Sequence, residues 1–326
     1  MDLRTEYLGL TLETPFIVGA SPLCDDASLA RRLQDAGAGA VVMRSLFEEQ
    51  IDPLPRAPPA ASARAGDEME MFPDYADYQL SPESYVQHVA RLKRALSIPV
   101  IASLNGHPLV GWSDLVRRLE RAGADAIELN FYQVVADPTV DADQVEMEML
   151  RITSLAAGSV KIPVAVKLSP FHSSVAQLAV SLELAGAAGV VVFNRFFQPD
   201  IDVDDLSVQP LLRLSDPQEL LLRLRWLAIL SPLLRGSLAA TGGIHTAQAV
   251  AKAILAGAHA VHLVSVLLRN GPGILTSLGH GLTAWMEAHG FSNLAECRGR
   301  LDLRRCGNAS AFERANYIRT LQSWRG

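Results

Sequence analysis

The sequence predicts an α/β protein built as a single closed (β/α)8 barrel, and three observations carry that prediction. Short apolar runs alternate with amphipathic stretches of helical period from residue 16 to residue 288. The tripeptide Ala-Gly-Ala recurs at 36–38, 122–124, 185–187 and 256–258, each time between an amphipathic stretch and an apolar run. The residues that end the apolar runs are polar, although the runs are almost wholly apolar. Strands apolar on both faces belong to parallel sheets covered by helices. Glycine in the left-handed conformation stops each helix, and the flanking alanines let the chain turn tightly under the next strand. Eight such units favour closure into a TIM barrel over the rival, an open doubly wound sheet.

The elements follow in order. A short strand pair is expected at the N-terminus, ahead of the first barrel strand at 16–20. Asp25 and Asp26 then cap a helix that reaches Ala36, with Leu29, Leu33 and Ala36 on one face. Val41, Val42 and Met43 form the second strand. Ser81-Pro82 opens a helix, since proline suits the first helical position, and Tyr85, Val89, Leu92 and Leu96 are its buried stripe. Strands at 99–104 and 126–129 flank a helix at 113–122. Helices near 144–157 and 173–185 surround the strand 164–168. A strand at 189–193, a helix at 218–230, a strand at 238–241, a helix at 247–255 and a strand at 261–264 complete the alternation. A last helix covers roughly 274–288, and a tail starts at about 291. Loop insertions stand after the second strand, at 46–80, and after the sixth, near 196–202. The whole of 1–326 is expected to be one domain.

Composition narrows the function classes. The chain has 326 residues, 49% hydrophobic and 20% charged, with a net charge of −6. That hydrophobic fraction excludes a disordered protein, and the acidic balance gives no basic field for a nucleic-acid partner. Cys24, Cys297 and Cys306 are too few and too scattered for a disulfide framework or an iron–sulfur site. No signal peptide is expected, because the N-terminal MDLRTEYLGL carries acids and lacks an apolar core, and no membrane span is expected, because the leucine-rich stretch 220–234 is broken by Arg223 and Arg225. The default is therefore a cytoplasmic protein without a membrane partner.

In a TIM barrel the chemistry sits at the C-terminal strand ends. Read in order, those ends carry Ala20 and Ser21, Arg44 and Ser45, Ser103 to Asn105, Asn130, Lys167, Asn194, Thr241 to Gly243, and Ser265. Buried polar side chains need partners, and a lysine there needs an anion or another acceptor. The loops after the seventh and eighth strands form this fold's common phosphate site. Gly242, Gly243 and Ser265 occupy them, so a phosphate-bearing cofactor is expected across the mouth. His259 and His262 flank a core strand facing different sides, and no metal is expected. Asp200, Asp202, Asp204 and Asp205 read as a solvated acidic run.

These residues also carry a resemblance. Residues 15–21, Arg44-Ser45 with 53–56 after it, Glu128-Leu129-Asn130, Val166-Lys167-Leu168 and 240–244 resemble, in order and spacing, the flavin barrel of the dihydroorotate dehydrogenases. The resemblance implies an FMN-dependent oxidoreductase acting on CH–CH bonds, in the manner of pyrimidine metabolism. It implies that Ala20 and Ser21 back the flavin ring and that Ser45, Asn105, Asn130 and Asn194 reach flavin or substrate. It implies that Lys167 stabilises the negative charge of the reduced ring, and that Thr241, Gly242, Gly243 and Ser265 hold the phosphate. A small planar substrate, a soluble oxidant or redox partner protein as acceptor, and a homodimer are implied as well.

The sequence departs from the family on the substrate side. Arg44 stands where the family places lysine. Gln133 occupies the position of the family's cysteine or serine base and has no titratable group. Arg44, Asn130, Gln133 and Lys167 make up the expected catalytic set, with Tyr132, His107 and His172 as substitute bases. Val135 replaces a substrate-binding asparagine. The leading expectation is two-electron transfer between a small planar substrate and a second acceptor. The alternatives are true dihydroorotate oxidation with a recruited base, a flavin-free phosphate-binding lyase or isomerase, and a non-catalytic flavin-binding subunit.

Overall fold

A computed structural model describes residues 1–47, 81–105, 112–209, 211–307, 309, 312 and 321–323. Nearly all of the 46–80 insertion, including 53–56 and 69–75, lies outside the described residues, as does His107.

The chain begins with an antiparallel pair, β1 (Thr5–Tyr7) and β2 (Leu10–Leu12). Eight parallel strands then close into a barrel: β3 (Phe16–Val18), β4 (Ala40–Val42), β5 (Val100–Asn105), β6 (Ala126–Asn130), β7 (Val164–Leu168), β8 (Gly189–Val192), β11 (Ser237–Thr241) and β12 (Ala260–Leu263). β12 pairs with β3 and completes the ring. The helices between them are α1 (Ala27–Asp35), α2 (Pro82–Ala95), α3 (Trp112–Arg121), α4 (Ala142–Ser159), α5 (Val175–Leu184), α6 (Leu220–Leu230), α7 (Ala247–Ala256), the short α8 (Ser265–Asn270) and α9 (Ile274–Ala288).

The caps are where the side chains place them. Asp26 accepts from the Ser28 amide to start α1, Ser81 from Ser84 to start α2, and Asp141 with Gln144 forms a reciprocal capping box on α4. At the other helix ends Gly37, Gly123, Gly186 and Gly257 have φ of 112°, 99°, 107° and 120°. Space is also tight at two of them. A Cβ at Gly257 would meet Ser231 at 2.4 Å, and one at Gly186 would meet Ala157 at 2.8 Å. The Ala-Gly-Ala repeat is thus a helix stop at all four places and a close approach as well at Gly186 and Gly257.

Alternation along each strand divides the core in two. Ile127, Leu129, Val164 and Val166 face the helices and belong to the large outer core. Ile17, Ala40, Val42, Ile101, Ala126, Ala165, Val191, Ala239 and Ala260 face inward around Tyr7, Leu8 and Leu12. So many alanines leave room for the β1–β2 pair to plug the barrel floor. The Leu8 amide donates to Ser237 Oγ at 2.8 Å and Thr5 Oγ1 to the His259 carbonyl at 2.9 Å, which fixes the plug beneath β11 and β12. Two residues further on, the inward positions become Ser103, Glu128, Lys167, Thr241 and His262. A polar layer therefore lies on an apolar floor.

Two expectations are refined. The acidic run after β8 is not plain loop: β9 (Asp200–Asp202) and β10 (Ser207–Gln209) form an antiparallel hairpin, with Asp202 Oδ1 accepting from the amides of Asp204 and Asp205. The tail beyond residue 291 is partly structured. It forms α10 (Leu294–Cys297), buries Leu294, Cys297 and Asp302, and donates the Leu303 amide to the Ala228 carbonyl at the end of α6. All three cysteines are free thiols.

Candidate active site

A cavity of about 450 Å³ opens at the C-terminal strand ends, a volume suited to a small-molecule or cofactor site. Ala20, Ser21, Arg44, Ser45, Asn130, Lys167, Asn194, Thr241, Gly242 and Ser265 all line it, as the strand-end reading expects. Three expected residues do not. Asn105 is not on the wall, and its Oδ1 accepts from the Tyr132 amide at 3.2 Å. Gly243 sits behind Gly242 and donates its amide to Ser215 Oγ at 3.3 Å. Gln133 is exposed in the segment after β6 and is not part of the wall.

One side of the mouth is a hydroxyl–amide chain. Ser103 and Ser45 share a hydrogen bond of 2.7 Å, Asn130 Nδ2 donates to Ser45 Oγ at 3.1 Å, and Asn194 Nδ2 donates to Asn130 Oδ1. This chain crosses from β5 to the end of β8 and fixes both asparagines. Tyr85 of α2 anchors it from outside. Its one hydroxyl proton is shared between the Ser103 carbonyl at 2.9 Å and the Arg44 carbonyl at 3.1 Å, and its oxygen accepts the Ser103 amide at 2.8 Å. Arg44 stands over the chain, with its Nε 3.4 Å from Asp25 Oδ1.

The opposite side is built on a glycine turn. Gly242 and Gly243 have φ of 92° and 77°. A Cβ on Gly243 would lie 2.3 Å from the Leu220 nitrogen, and one on Gly242 would lie 3.1 Å from the Arg223 guanidinium. Only glycine fits this turn. Arg223 donates to the Thr241 and Glu219 carbonyls at 3.0 and 2.8 Å and so braces it. Ser215, in the segment before α6, accepts the Gly243 amide, donates its own amide to Ser265 Oγ at 2.9 Å, and receives Arg269 on its carbonyl at 3.2 Å. His245 Nε2 lies 3.2 Å from the Ser215 hydroxyl.

Between the two sides lies the polar layer. Lys167 Nζ is 3.6 Å from Glu128 Oε1, and Glu128 Oε2 is 3.6 Å from His262 Nδ1. The His262 ring meets Tyr7 edge-on, with centroids 6.2 Å apart. Burial pushes the Glu128 carboxyl up, while the Lys167 ammonium pulls it back down. Burial, with Lys167 nearby, holds His262 down at about 3, so its ring is neutral near neutrality. His262 thus points into the barrel, whereas His259 accepts the Leu238 amide at 3.1 Å outside it. No cluster of metal-binding side chains occurs among the described residues. Sequence reading missed Glu128, His262, Ser215 and Tyr7 as site or site-supporting groups. A period-two inward reading of the strands from Ala126, Ala165 and Ala260 finds the first two.

The outer rim is aromatic. Tyr132 stacks on Phe196 at 4.3 Å and 7°, Phe171 meets Phe196 edge-on at 5.5 Å, and the Tyr132 hydroxyl accepts the Phe197 amide at 3.1 Å. The segments after β6 and β8 are therefore tied together over the mouth. His172 is half-buried and lies outside the cavity wall.

Comparison with known proteins decides the family. The family model for dihydroorotate dehydrogenase matches residues 2–286. The chain belongs to the dihydroorotate dehydrogenase family. The chain is 27% identical over 305 residues to "Dihydroorotate dehydrogenase B (NAD(+)), catalytic subunit" of Pyrococcus furiosus, covering 92% of this chain and 98% of that protein. It is 26% identical over 306 residues to "Putative dihydroorotate dehydrogenase A (fumarate)" of Aeropyrum pernix, covering 91% and 97%. It is 24% identical over 326 residues to "Dihydropyrimidine dehydrogenase (NADP(+)), chloroplastic" of Arabidopsis thaliana, covering 91% and 76%. Membership of the dihydroorotate dehydrogenase family supports the oxidoreductase reading of the strand-end residues. No helix among the described residues is long and apolar enough to cross a membrane.

The mouth fits a flavin mononucleotide. The Gly242-Gly243 turn excludes any Cβ and presents backbone beside Ser265, as a phosphate requires. Lys167 faces the same cavity as a buried cation. A Cβ on Gly19 would meet the Val264 side chain at 2.8 Å, so Val264, itself on the cavity wall beside Ala20 and Ser21, packs directly on the Gly19 backbone.

Proposed function

We propose that this chain is an FMN-dependent oxidoreductase that moves two electrons between a small planar substrate and a second acceptor by a ping-pong route. The observation that carries this reading is Lys167. It is a buried lysine on the wall of a cavity that also holds Asn130, Ser21, Gly242 and Ser265. When bound, FMN supplies a ring that takes up and passes on a hydride equivalent. Gly242 and Ser265 would hold its phosphate, with Gly243 behind them fixing the turn through Ser215. Ala20 and Ser21 would back the ring, and Asn130 and Asn194 would hydrogen-bond ring or substrate. Lys167 would offset the negative charge that reduction adds.

The substrate half supports a molecule other than dihydroorotate. Gln133 is exposed and lacks a titratable group, so the family's base position holds no base. Tyr132, Phe47 and Phe197 line the cavity instead, and a site built to hydrogen-bond a polar edge discriminates strongly once those partners are apolar. Arg44 supplies the positive charge on this side. The second reading is dihydroorotate oxidation itself, favoured by the names of the relatives, with Tyr132 as the recruited base.

Loading purified protein with FMN and then adding dihydroorotate under anaerobic conditions separates the readings. The leading reading expects a flavin spectrum that dihydroorotate leaves unbleached. Bleaching establishes the second reading, and failure to take up FMN defeats both. The relative named as a catalytic subunit favours a partner redox protein as acceptor over a soluble oxidant.

A further inference from the structure

We infer that Glu128 is a positioning residue that sets the reduction potential of the bound flavin through Lys167; this rests on the FMN reading above. The side chains of Glu128 and Lys167 are 1% and 9% exposed, and their charged atoms lie 3.6 Å apart. They stand on adjacent parallel strands, with Glu128 in register with Ala165 and Asn130 in register with Lys167. Both therefore project into the barrel from neighbouring strands, and Glu128 lies one inward step deeper than Asn130. Lys167 is on the cavity wall and Glu128 is not, so the carboxylate sits behind the ammonium as seen from the mouth.

The other side of Glu128 is closed. His262, wholly buried, lies 3.6 Å from its second oxygen, and Tyr7 packs against the far edge of that ring. Glu128 Oε1, both His262 nitrogens and the Tyr7 hydroxyl have no hydrogen-bond partner within the protein. The carboxylate is thus held by charge rather than by a hydrogen-bond cage, and Lys167 is its cationic neighbour. Burying such a pair is costly, and a fold gains little stability from it. Its effect at the mouth is more specific. An unpaired Lys167 would present a full positive charge to the ring, and Glu128 behind it cancels part of that charge. The protein then stabilises the reduced, anionic ring less than a lone lysine would, and the potential is lower.

The test is the midpoint potential of FMN-loaded wild-type protein, Glu128→Gln, Lys167→Met and the double variant, measured against a reference dye near neutral pH. Glu128→Gln is expected to raise the potential by the equivalent of at least tenfold in the two-electron equilibrium, about 30 mV. Lys167→Met is expected to lower it, and in that background Glu128→Gln is expected to have little further effect. Glu128→Asp keeps the charge inside the barrel but withdraws it by one methylene. It serves if the amide variant does not fold, with a smaller upward shift expected. An unchanged or lowered potential in the Glu128 variants, or an equal shift with and without Lys167, overturns the inference. Wild-type protein that takes up no FMN overturns the cofactor reading and this one together; loaded protein indifferent to Glu128 overturns this one alone.

Discussion

Replacing Lys167 by methionine tests the polar layer without any cofactor. Methionine fills similar space but leaves Glu128, 1% exposed, without its cationic neighbour. Breaking a buried pair by removing one partner costs about 3–5 kcal/mol. Unfolding entropy is about 2.1 cal/mol/K per residue, so over a chain of 326 residues each kcal/mol moves the melting midpoint by about 1.5 °C, and the expected loss is about 4–7 °C. The loss also has a direction in pH. Burial already raises the Glu128 pKa above its ordinary 4.5, opposed by Lys167; without the lysine it rises further. A carboxyl whose folded pKa lies above its unfolded value contributes stability at low pH that disappears as pH climbs through the folded value. The deficit of Lys167→Met against wild type should therefore be small in acid and grow toward neutral and alkaline pH. Thermal melts of both proteins, stripped of cofactor, across that range measure it. An unchanged midpoint, or a deficit that grows toward acid, refutes the pairing.

Other outcomes follow from single sites. Gly243→Ala places a Cβ 2.3 Å from the Leu220 nitrogen at a φ of 77°; FMN affinity should fall by about tenfold or more, about 1.4 kcal/mol, and fluorescence titration with FMN that gives wild-type affinity would contradict the role of the turn. His262 is held at about 3 against an ordinary 6.5, so the unfolded chain takes up a proton there and stability falls as pH drops from 6.5 toward 3, by up to about 1.4 kcal/mol per pH unit. His262→Gln removes that uptake, and its urea midpoints should fall less steeply than wild type below pH 6.5; parallel acid limbs would show that His262 is not buried as a neutral ring.

The barrel was legible because its signals are local. Each apolar run ends where a polar residue must find a partner, and each Ala-Gly-Ala marks a helix stop whose glycine adopts a positive φ. The helix at 274–288 has its expected bounds. The glycine turn and Lys167 were legible for a related reason, since they stand at strand ends where backbone geometry and charge single them out. The polar layer was not. Strands buried on both faces lose the alternating pattern that separates inside from outside, so Glu128 and His262 look like interruptions of core strands until the inward residues are seen. Ser215 escaped notice because it comes from an irregular segment, 22 residues before Ser237 at the start of β11, and meets Gly243 and Ser265 only through the closed ring. The β9–β10 hairpin escaped because aspartates, poor strand formers, make its first strand.

The account's central claim is that the mouth of this barrel holds FMN. The direct measurement is the absorption spectrum of the purified protein after incubation with FMN and removal of the excess, with the flavin released on denaturation quantified against the chain. The account predicts an oxidised-flavin spectrum and equimolar FMN, with less FMN retained by the Gly243→Ala variant. Wild-type protein that stays colourless, with no flavin released and no rise in melting temperature on adding FMN, contradicts it.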